Sequence, residues 1–466
     1  MSTSLTPDAA QQDIAARLER LPMSRWQVMV RLAIGVVTFF EAFDQLLIAY
    51  TLPVITKEWD ISAAGTTLTL TIGSIGMLLG AYVSGWAADR VGRVKVISVC
   101  VALTAACSLL MAGCTSLLPF LVLRFVQGFA IGGEVPTAAA YISEISRAHR
   151  RGRFVLFYEI VFPAGLAAGA LLAAWVIPHW GWRALYLFAA VPGLAAVLLQ
   201  RRIPESPRWL ASRGRYEKAR ATMDLIEERV RRASGAELPE PSAPPAPSVP
   251  ETEPSAQVPV RGSLRDLFTG RYRRRTLVIW TIWFVGYLAN YGITSWLPTI
   301  YKGVYDMSLS SALWYSTMAS VAGLVGCVLA ALLVDRVGRR GIVVGGLGGT
   351  TAMLVVLAVL GAGAPWQLAV WSSLAAMFNF AVNISLYLYT PELYPTRARA
   401  LGCSMGGVMN RLGLIVGPLL VGLVYGGGTQ LSAVFLLLSV FTLAGAVVAG
   451  LFAEETAGRA LEEVSP

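Results

Sequence analysis

The sequence predicts an all-α membrane protein: twelve transmembrane helices arranged as two six-helix parallel repeats around a central cavity. Three observations carry that expectation. Of the 466 residues, 55% are hydrophobic and 14% charged, and the mean hydropathy is +0.60, well outside the soluble range. Apolar runs of roughly 20 residues, enough to cross a hydrocarbon core, recur about twelve times. Short motifs of the first half also return in the second at a nearly constant offset.

The runs cover 29–55, 66–88, 95–115, 117–142, 153–176, 183–200, 276–300, 311–334, 341–361, 366–390, 400–424 and 431–453. They are read as helices because barrel strands would be shorter and would alternate apolar with polar residues. Residues 1–28 form a polar N-terminal segment in which Ile14 to Leu21 reads as a short amphipathic helix; no cleavable signal peptide is expected. Residues 29–200 form the first six-helix bundle and 276–453 the second. Residues 201–275 between them begin with a basic helical stretch, Tyr216 to Arg232, and continue into the proline-rich linker 239–250. Residues 454–466 are a tail.

The net charge of +10 does not imply nucleic acid, because the cations collect in every second loop rather than on one face. Arg90, Arg93 and Lys95 mark one loop, Arg147, Arg150, Arg151 and Arg153 the next, and Arg336, Arg339, Arg340, Arg397 and Arg399 two later ones. This positive-inside pattern places both termini and the central loop in the cytoplasm, with the bacterial inner membrane as the expected location. The partners expected are the lipid bilayer and a small organic anion, with the protein a monomer.

Cys100, Cys107, Cys114, Cys327 and Cys403 all fall in apolar spans and offer neither a disulfide framework nor metal spacing. With His149 and His179 the only histidines and no Gly-Lys dipeptide, zinc and Walker-type phosphate chemistry are unsupported. No enzyme activity and no cofactor are expected, so transport would draw on a gradient, with protons as the coupling ion. The Gly345–Gly349 cluster lies inside a span and reads as a close-packing surface.

Internal repetition organises the chain. Asp89-Arg-Val-Gly-Arg93 returns as Asp335-Arg-Val-Gly-Arg339, Tyr141-Ile-Ser-Glu144 as Tyr389-Thr-Pro-Glu392, and Gly165-x-x-x-Gly169 as Gly413-x-x-x-Gly417, at offsets of about 246 to 248 residues. Agreement of three motifs implies parallel repeats about an axis along the membrane normal.

Polar residues inside spans mark the cavity, because each needs a partner or water. Arg411 stands alone in an apolar stretch, and its bidentate fork suits a carboxylate; the alternative is an interhelical brace to Glu41, Asp44 or Glu159. Glu41 and Asp44, three residues apart, share a helix face in the first span, where mutual repulsion would favour proton exchange. Asp44 could instead pair with Arg124 of the fourth span, or alternate between proton and arginine. Glu134 and Glu159 could relay protons or brace an arginine. Trp283, Tyr287, Asn290 and Tyr291 of the seventh span fall near one face, and Asn379, Asn383 and Tyr387 recur on the tenth. Such stripes often serve packing, but rings combined with amides and phenols suit a flat, partly polar substrate.

The Asp-Arg-x-Gly-Arg loops resemble the cytoplasmic motif of the major facilitator superfamily, and the resemblance covers the whole chain. Ala331 in the second copy replaces Gly85 of the first, which is expected to loosen packing there. Pro204-Glu-Ser-Pro-Arg-Trp-Leu210 and Glu455-Thr-Ala-Gly-Arg are similar to motifs of the sugar-porter-type branch, which includes sugar, aromatic-acid, niacin and organic-ion carriers. The loop charges read as a gate of ion pairs, with Asp89, Arg93, Glu144, Arg147, Asp335, Arg339, Glu392 and Arg397 as its members; the alternative, charges that merely fix topology, explains the arginines but not the two aspartates. The two aspartates are expected to meet a neighbouring helix N-terminus and the loop arginines.

Leu388 to Pro395 and Met409-Asn-Arg-Leu-Gly413 resemble the organic-ion carriers. Their anion-selective members use an arginine in the second motif and aromatic positions of the seventh and tenth spans to hold substrate. That implies Trp283, Tyr291, Asn383, Tyr387 and Arg411 here. Asn383 departs from the expected aromatic residue, which implies a smaller or more polar substrate. Asp44 resembles the first-span acid of proton-coupled aromatic-acid carriers. Together these features imply a proton-coupled importer of a small aromatic or heteroaromatic carboxylate, with nicotinate first, benzoate-type acids next and sugars after them. The seventh span lacks the Gln-Gln-x-x-Gly motif that sugar porters use for hydroxyl groups.

Overall fold

The computed structural model describes residues 13, 14, 16–18, 20–22, 24–145, 151–200, 203–234, 239, 264–360, 363–425 and 430–457. Arg147 and the linker beyond Pro239 lie outside the described residues. The spans run Arg25–Glu58, Ala63–Val91, Arg93–Ala112, Leu117–Ile145, Arg151–Gln200, Gly270–Thr294, Leu309–Val337, Arg339–Leu360, Pro365–Glu392, Thr396–Tyr425 and Leu431–Phe452.

Eleven of the described helices are long and apolar enough to cross a membrane, where twelve were expected. The difference lies in Arg151–Gln200, which holds both the fifth and sixth spans and turns at Gly181, whose φ is 80°. Only glycine enters that region without strain, so the position ends one arm and starts the next. The two arms are the fifth and sixth of twelve spans.

The two halves repeat one set of contacts. The first span packs on the fifth, the second on the fourth and the third on the Arg151–Gln200 helix; correspondingly the seventh packs on the eleventh, the eighth on the tenth and the ninth on the twelfth. The glycine pairs explain two of these. A Cβ on Gly165 would strike the Phe39 carbonyl, and one on Gly417 the Leu288 carbonyl, so main chains touch where small residues permit it. The expected loosening at Ala331 is corrected: a Cβ added at its counterpart Gly85 meets no atom within 4 Å, so the glycine packs nothing there.

The halves meet through the second and eleventh spans, the fifth and eighth spans, and the first span with the short helix Leu297–Val304. Toward the end away from the Asp-Arg-Val-Gly-Arg loops, Tyr50 Oη lies 3.4 Å from Thr317 Oγ1, and that hydroxyl donates to the Ala170 carbonyl at 3.2 Å.

At the loop-motif end, Ile14, Leu18 and Leu21 pack on Trp209, Met223, Ile226 and Val230. Arg17 and Arg20 reach Glu227, each at 2.7 Å. Burial pushes the Glu227 carboxyl up, but its hydrogen bonds to the two arginines outweigh this and hold it below the usual glutamate value. The N-terminal segment is thereby fastened to the helix Tyr216–Ser234.

Candidate substrate site and gate

The aromatic residues of the seventh and tenth spans form one wall. Trp283 stacks on Tyr287, centroids 5.7 Å apart, and meets Tyr387 edge-on at 4.9 Å; its Nε1 donates to Thr390 Oγ1 at 2.9 Å. Tyr287 stacks on Tyr291 at 6.2 Å and sets its hydroxyl 3.3 Å from that of Tyr387. The result is a rigid series of rings with phenols at its edge.

The amides are uneven. Asn379 Nδ2 donates to the Gly286 carbonyl at 2.8 Å, tying the tenth span to the seventh. Asn383, 4% exposed, has no protein partner for Nδ2 or Oδ1. Its Oδ1 lies where a Cβ on Gly286 would stand. Asn290 Oδ1 and Tyr291 Oη are likewise buried without a protein partner. A buried polar group left unsatisfied costs about 1–3 kcal/mol, so these atoms are suited to a polar ligand or water.

Arg411 is half-buried on the eleventh span. Its Nη1 donates to the Gly407 carbonyl one turn earlier at 3.1 Å, and Nη2 reaches across to the Gly132 carbonyl of the fourth span at 3.4 Å. The groups acting on it electrostatically are Tyr387, Glu41 and Tyr287. Among the described residues, no carboxylate forms an ion pair with it, Glu41 and Asp44 included. Glu159 lies on the fifth span, and its side chain is outside the description.

Glu41, Asp44, Arg124 and Glu134 are all buried, and Glu134 lies within the electrostatic reach of Glu41 and Asp44. Arg124 does not pair with the Asp44 carboxylate. Its Nη1 donates to Gln127 Oε1 at 2.6 Å and to the Asp44 main-chain carbonyl at 3.4 Å, while Nη2 reaches the Gln45 carbonyl at 3.2 Å. The guanidinium passes against Gly73, where a Cβ would lie 3.0 Å from Nε. Asp44 Oδ1 is left without a hydrogen-bond partner. A small cavity beside it is lined from both halves, by Gln45, Ser74, Met77, Arg124, Tyr291 and Ser295.

The gate residues assemble as two copies of one arrangement. Arg93 joins Asp89 at 2.7 Å and Glu144 at 3.1 Å; Arg339 joins Asp335 at 3.1 Å and Glu392 at 3.1 Å. Arg397 lies in the first turn of the eleventh span, and its side chain is outside the description. Every one of these described pairs lies within one half, so none ties the halves together.

Residues 34–400 and 314–464 match the Major Facilitator Superfamily. The chain belongs to that superfamily. It is 32% identical to the niacin transporter NiaP of Acinetobacter baylyi over 457 residues, covering 97% of this chain and 99% of that protein. It is 28% identical to the 4-hydroxybenzoate transporter PcaK of Pseudomonas putida over 414 residues, covering 87% and 88%. The inward-open xylose transporter XylE from E. coli superposes with a TM-score of 0.70 at 18% identity, covering 94% of this chain and 99% of that one. The protein is a multi-pass membrane transporter and not an enzyme.

One expectation about this transporter's gate is corrected. The acids at neighbouring helix N-termini are Glu205 and Glu455, not Asp89 and Asp335, whose side chains are 71% and 67% exposed. Glu205 Oε1 accepts from the main-chain N–H of Arg93 at 3.0 Å and of Val94 at 3.2 Å. Glu455 accepts from Arg339 N–H at 2.9 Å and Arg340 N–H at 3.1 Å. Asp89 and Asp335 sit in the last turn of their own helices, pointing to solvent. Each glutamate follows a residue whose carbonyl accepts from a repeat tyrosine: Tyr141 donates to Pro204 O at 2.7 Å and Tyr389 to Glu454 O at 2.5 Å. The available signal was an acid followed by Ser206 or Thr456 at almost the same offset as the other repeats.

Proposed function

We propose that this transporter carries a small aromatic or heteroaromatic carboxylate, nicotinate first, across the bacterial inner membrane together with protons. It works as a monomer by alternating access, with both termini in the cytoplasm. The observation that carries the reading is Arg411: a guanidinium at the junction of the halves, beside the phenols of Tyr287 and Tyr387, with no described carboxylate paired to it. A cation left so inside a membrane protein suits a substrate carboxylate.

The ring would lie along Trp283, Tyr287, Tyr291 and Tyr387, where π faces accept a flat substrate in offset or edge contact. Asn290, Asn379 and Asn383 add polar atoms at the same wall, which favours a heteroaromatic ring over a purely hydrocarbon one. Similarity to NiaP supports nicotinate, and similarity to PcaK supports a benzoate-type acid as the second reading.

Proton coupling is assigned to Asp44, with Glu41, Arg124 and Glu159 around it. Asp44 is buried with an oxygen free of hydrogen bonds, and Arg124 is occupied with Gln127 and main-chain carbonyls. A carboxyl so placed holds a proton readily in one state and releases it when water reaches it in the other. Arg93, Arg339 and their partners stiffen the ends of the two halves that move against each other, and Arg147 and Arg397 are assigned to the same gate.

Thermal stabilisation of the purified protein by nicotinate, nicotinamide, benzoate, 4-hydroxybenzoate and glucose tests the reading. Nicotinate should stabilise most. Stabilisation by glucose alone would overturn it.

A further inference from the structure

An open groove of about 450 Å³ lies at the loop-motif end, between the start of the third span and the helix Tyr216–Ser234. Its floor includes Trp209 and Leu210, and three cations stand around it: Lys95, Arg215 and Lys218. All three are exposed, and none forms an ion pair with a described residue; Arg215 only rests over the Trp209 ring, 5.6 Å from its centroid. Among the described residues the one carboxylate lining the groove, Glu205, is already engaged by the N–H groups of Arg93 and Val94. Three cations without a described ion-pair partner, against the single charge of Glu205, leave the concavity net positive and suited to an anion.

The surroundings decide between a soluble anion and a lipid. Lys95 heads the exposed face of the third span, which continues at helical spacing through Val99, Ala106 and Leu110; Val99 is 65% exposed and Leu110 61%. This is a bilayer-facing strip leading directly away from the groove. Val91 and Leu225, both exposed, add apolar surface to the groove itself. A phosphate among the cations with acyl chains along the strip satisfies both features, whereas a soluble phosphate uses only the first.

We propose that this groove binds the headgroup of an anionic phospholipid from the adjoining leaflet. The phosphate sits among Lys95, Arg215 and Lys218, and one acyl chain follows Val99 and Leu110. The bound lipid thereby joins the third span to the helix Tyr216–Ser234, which also carries the N-terminal segment.

The test uses the purified full chain in detergent micelles supplemented with phosphatidylglycerol or phosphatidylcholine, with glycerol phosphate and inorganic phosphate as soluble arms. Phosphatidylglycerol should raise the melting temperature more than phosphatidylcholine, and the soluble anions should leave it unchanged. The Lys95→Ala/Arg215→Ala/Lys218→Ala variant changes only exposed side chains. It should fold, lose the excess stabilisation and retain phosphatidylglycerol at least about tenfold more weakly in native mass spectrometry. Equal stabilisation by the two lipids, an excess that survives in the variant, or a full effect from glycerol phosphate would each overturn the proposal.

Discussion

The carboxylate of Glu455 occupies the space that a side chain on Gly338 would need. Gly338 has φ 84° and ends the eighth span, and Glu455 there accepts the first N–H groups of the ninth. Gly92 and Glu205 repeat the relationship at φ 120°. The glycine of the Asp-Arg-Val-Gly-Arg loop is therefore needed twice over, for its backbone angle and for the room it leaves the capping acid.

Gly338→Ala should lower stability by at least about 1–2 kcal/mol from the backbone angle alone, with a further loss from displacement of Glu455. The melting temperature of the purified variant measures this. A value equal to that of the unmodified protein would show that the cap is unimportant. Gly85→Ala, four positions before Asp89 and facing open space, is the control and should be neutral.

Glu455 also gives the stability a pH dependence. Partial burial pushes its carboxyl up, but main-chain N–H groups of Ala457, Arg339, Arg340 and Thr456 outweigh that and hold it below the usual glutamate value. A group whose pKa falls on folding stabilises the folded chain above its unfolded value, and the contribution fades as the pH drops through the folded value. The melting temperatures of the unmodified protein and Glu455→Gln should differ most near neutrality and converge below about pH 4. A gap independent of pH would assign the loss to shape instead of charge.

The membrane class, the repeats and Arg411 were legible because each leaves a mark in residue type: long apolar runs, a motif returning at one offset, a charge where none is cheap. The twelve spans were legible as well, since the turn at Gly181 separates the fifth from the sixth within Arg151–Gln200. The capping role of Glu205 and Glu455 was marked only by their repeat-like offset, because a loop carboxylate looks like any solvated charge until packing brings a helix N-terminus to it. The alternative in which Arg124 pairs with the Asp44 carboxylate is not made, for a related reason. Its partners are the Gln127 side chain one turn on and the main-chain carbonyls of Asp44 and Gln45, and those carbonyls carry no side-chain signature.

The separation of Arg124 from the Asp44 carboxylate bears on coupling. If Asp44 carries the proton, Asp44→Asn should still exchange labelled substrate across proteoliposome membranes but fail to accumulate it under an inward proton gradient. Undiminished uphill uptake by this variant would remove Asp44 from the mechanism and turn attention to Glu41 and Glu134.

Arg411 supplies the sharpest test, because nicotinate and nicotinamide share a ring and differ in whether a full negative charge is presented. Two of its nitrogens already touch carbonyls, Gly407 and Gly132, which aim the guanidinium without neutralising it. Nicotinate should therefore bind better than nicotinamide by about 1.5–3 kcal/mol, the range for hydrogen bonds to charged groups, or about one to two decades in affinity. Arg411→Ala should remove most of that preference. Arg411→Lys should restore only part, since an ammonium lacks the planar fork and cannot hold both carbonyls and substrate together. Trp283→Ala and Tyr387→Ala should weaken acid and amide alike, because ring contacts do not sense the carboxylate. Equal binding of acid and amide by the unmodified protein would return Arg411 to a structural role, holding the fourth and eleventh spans together through Gly132.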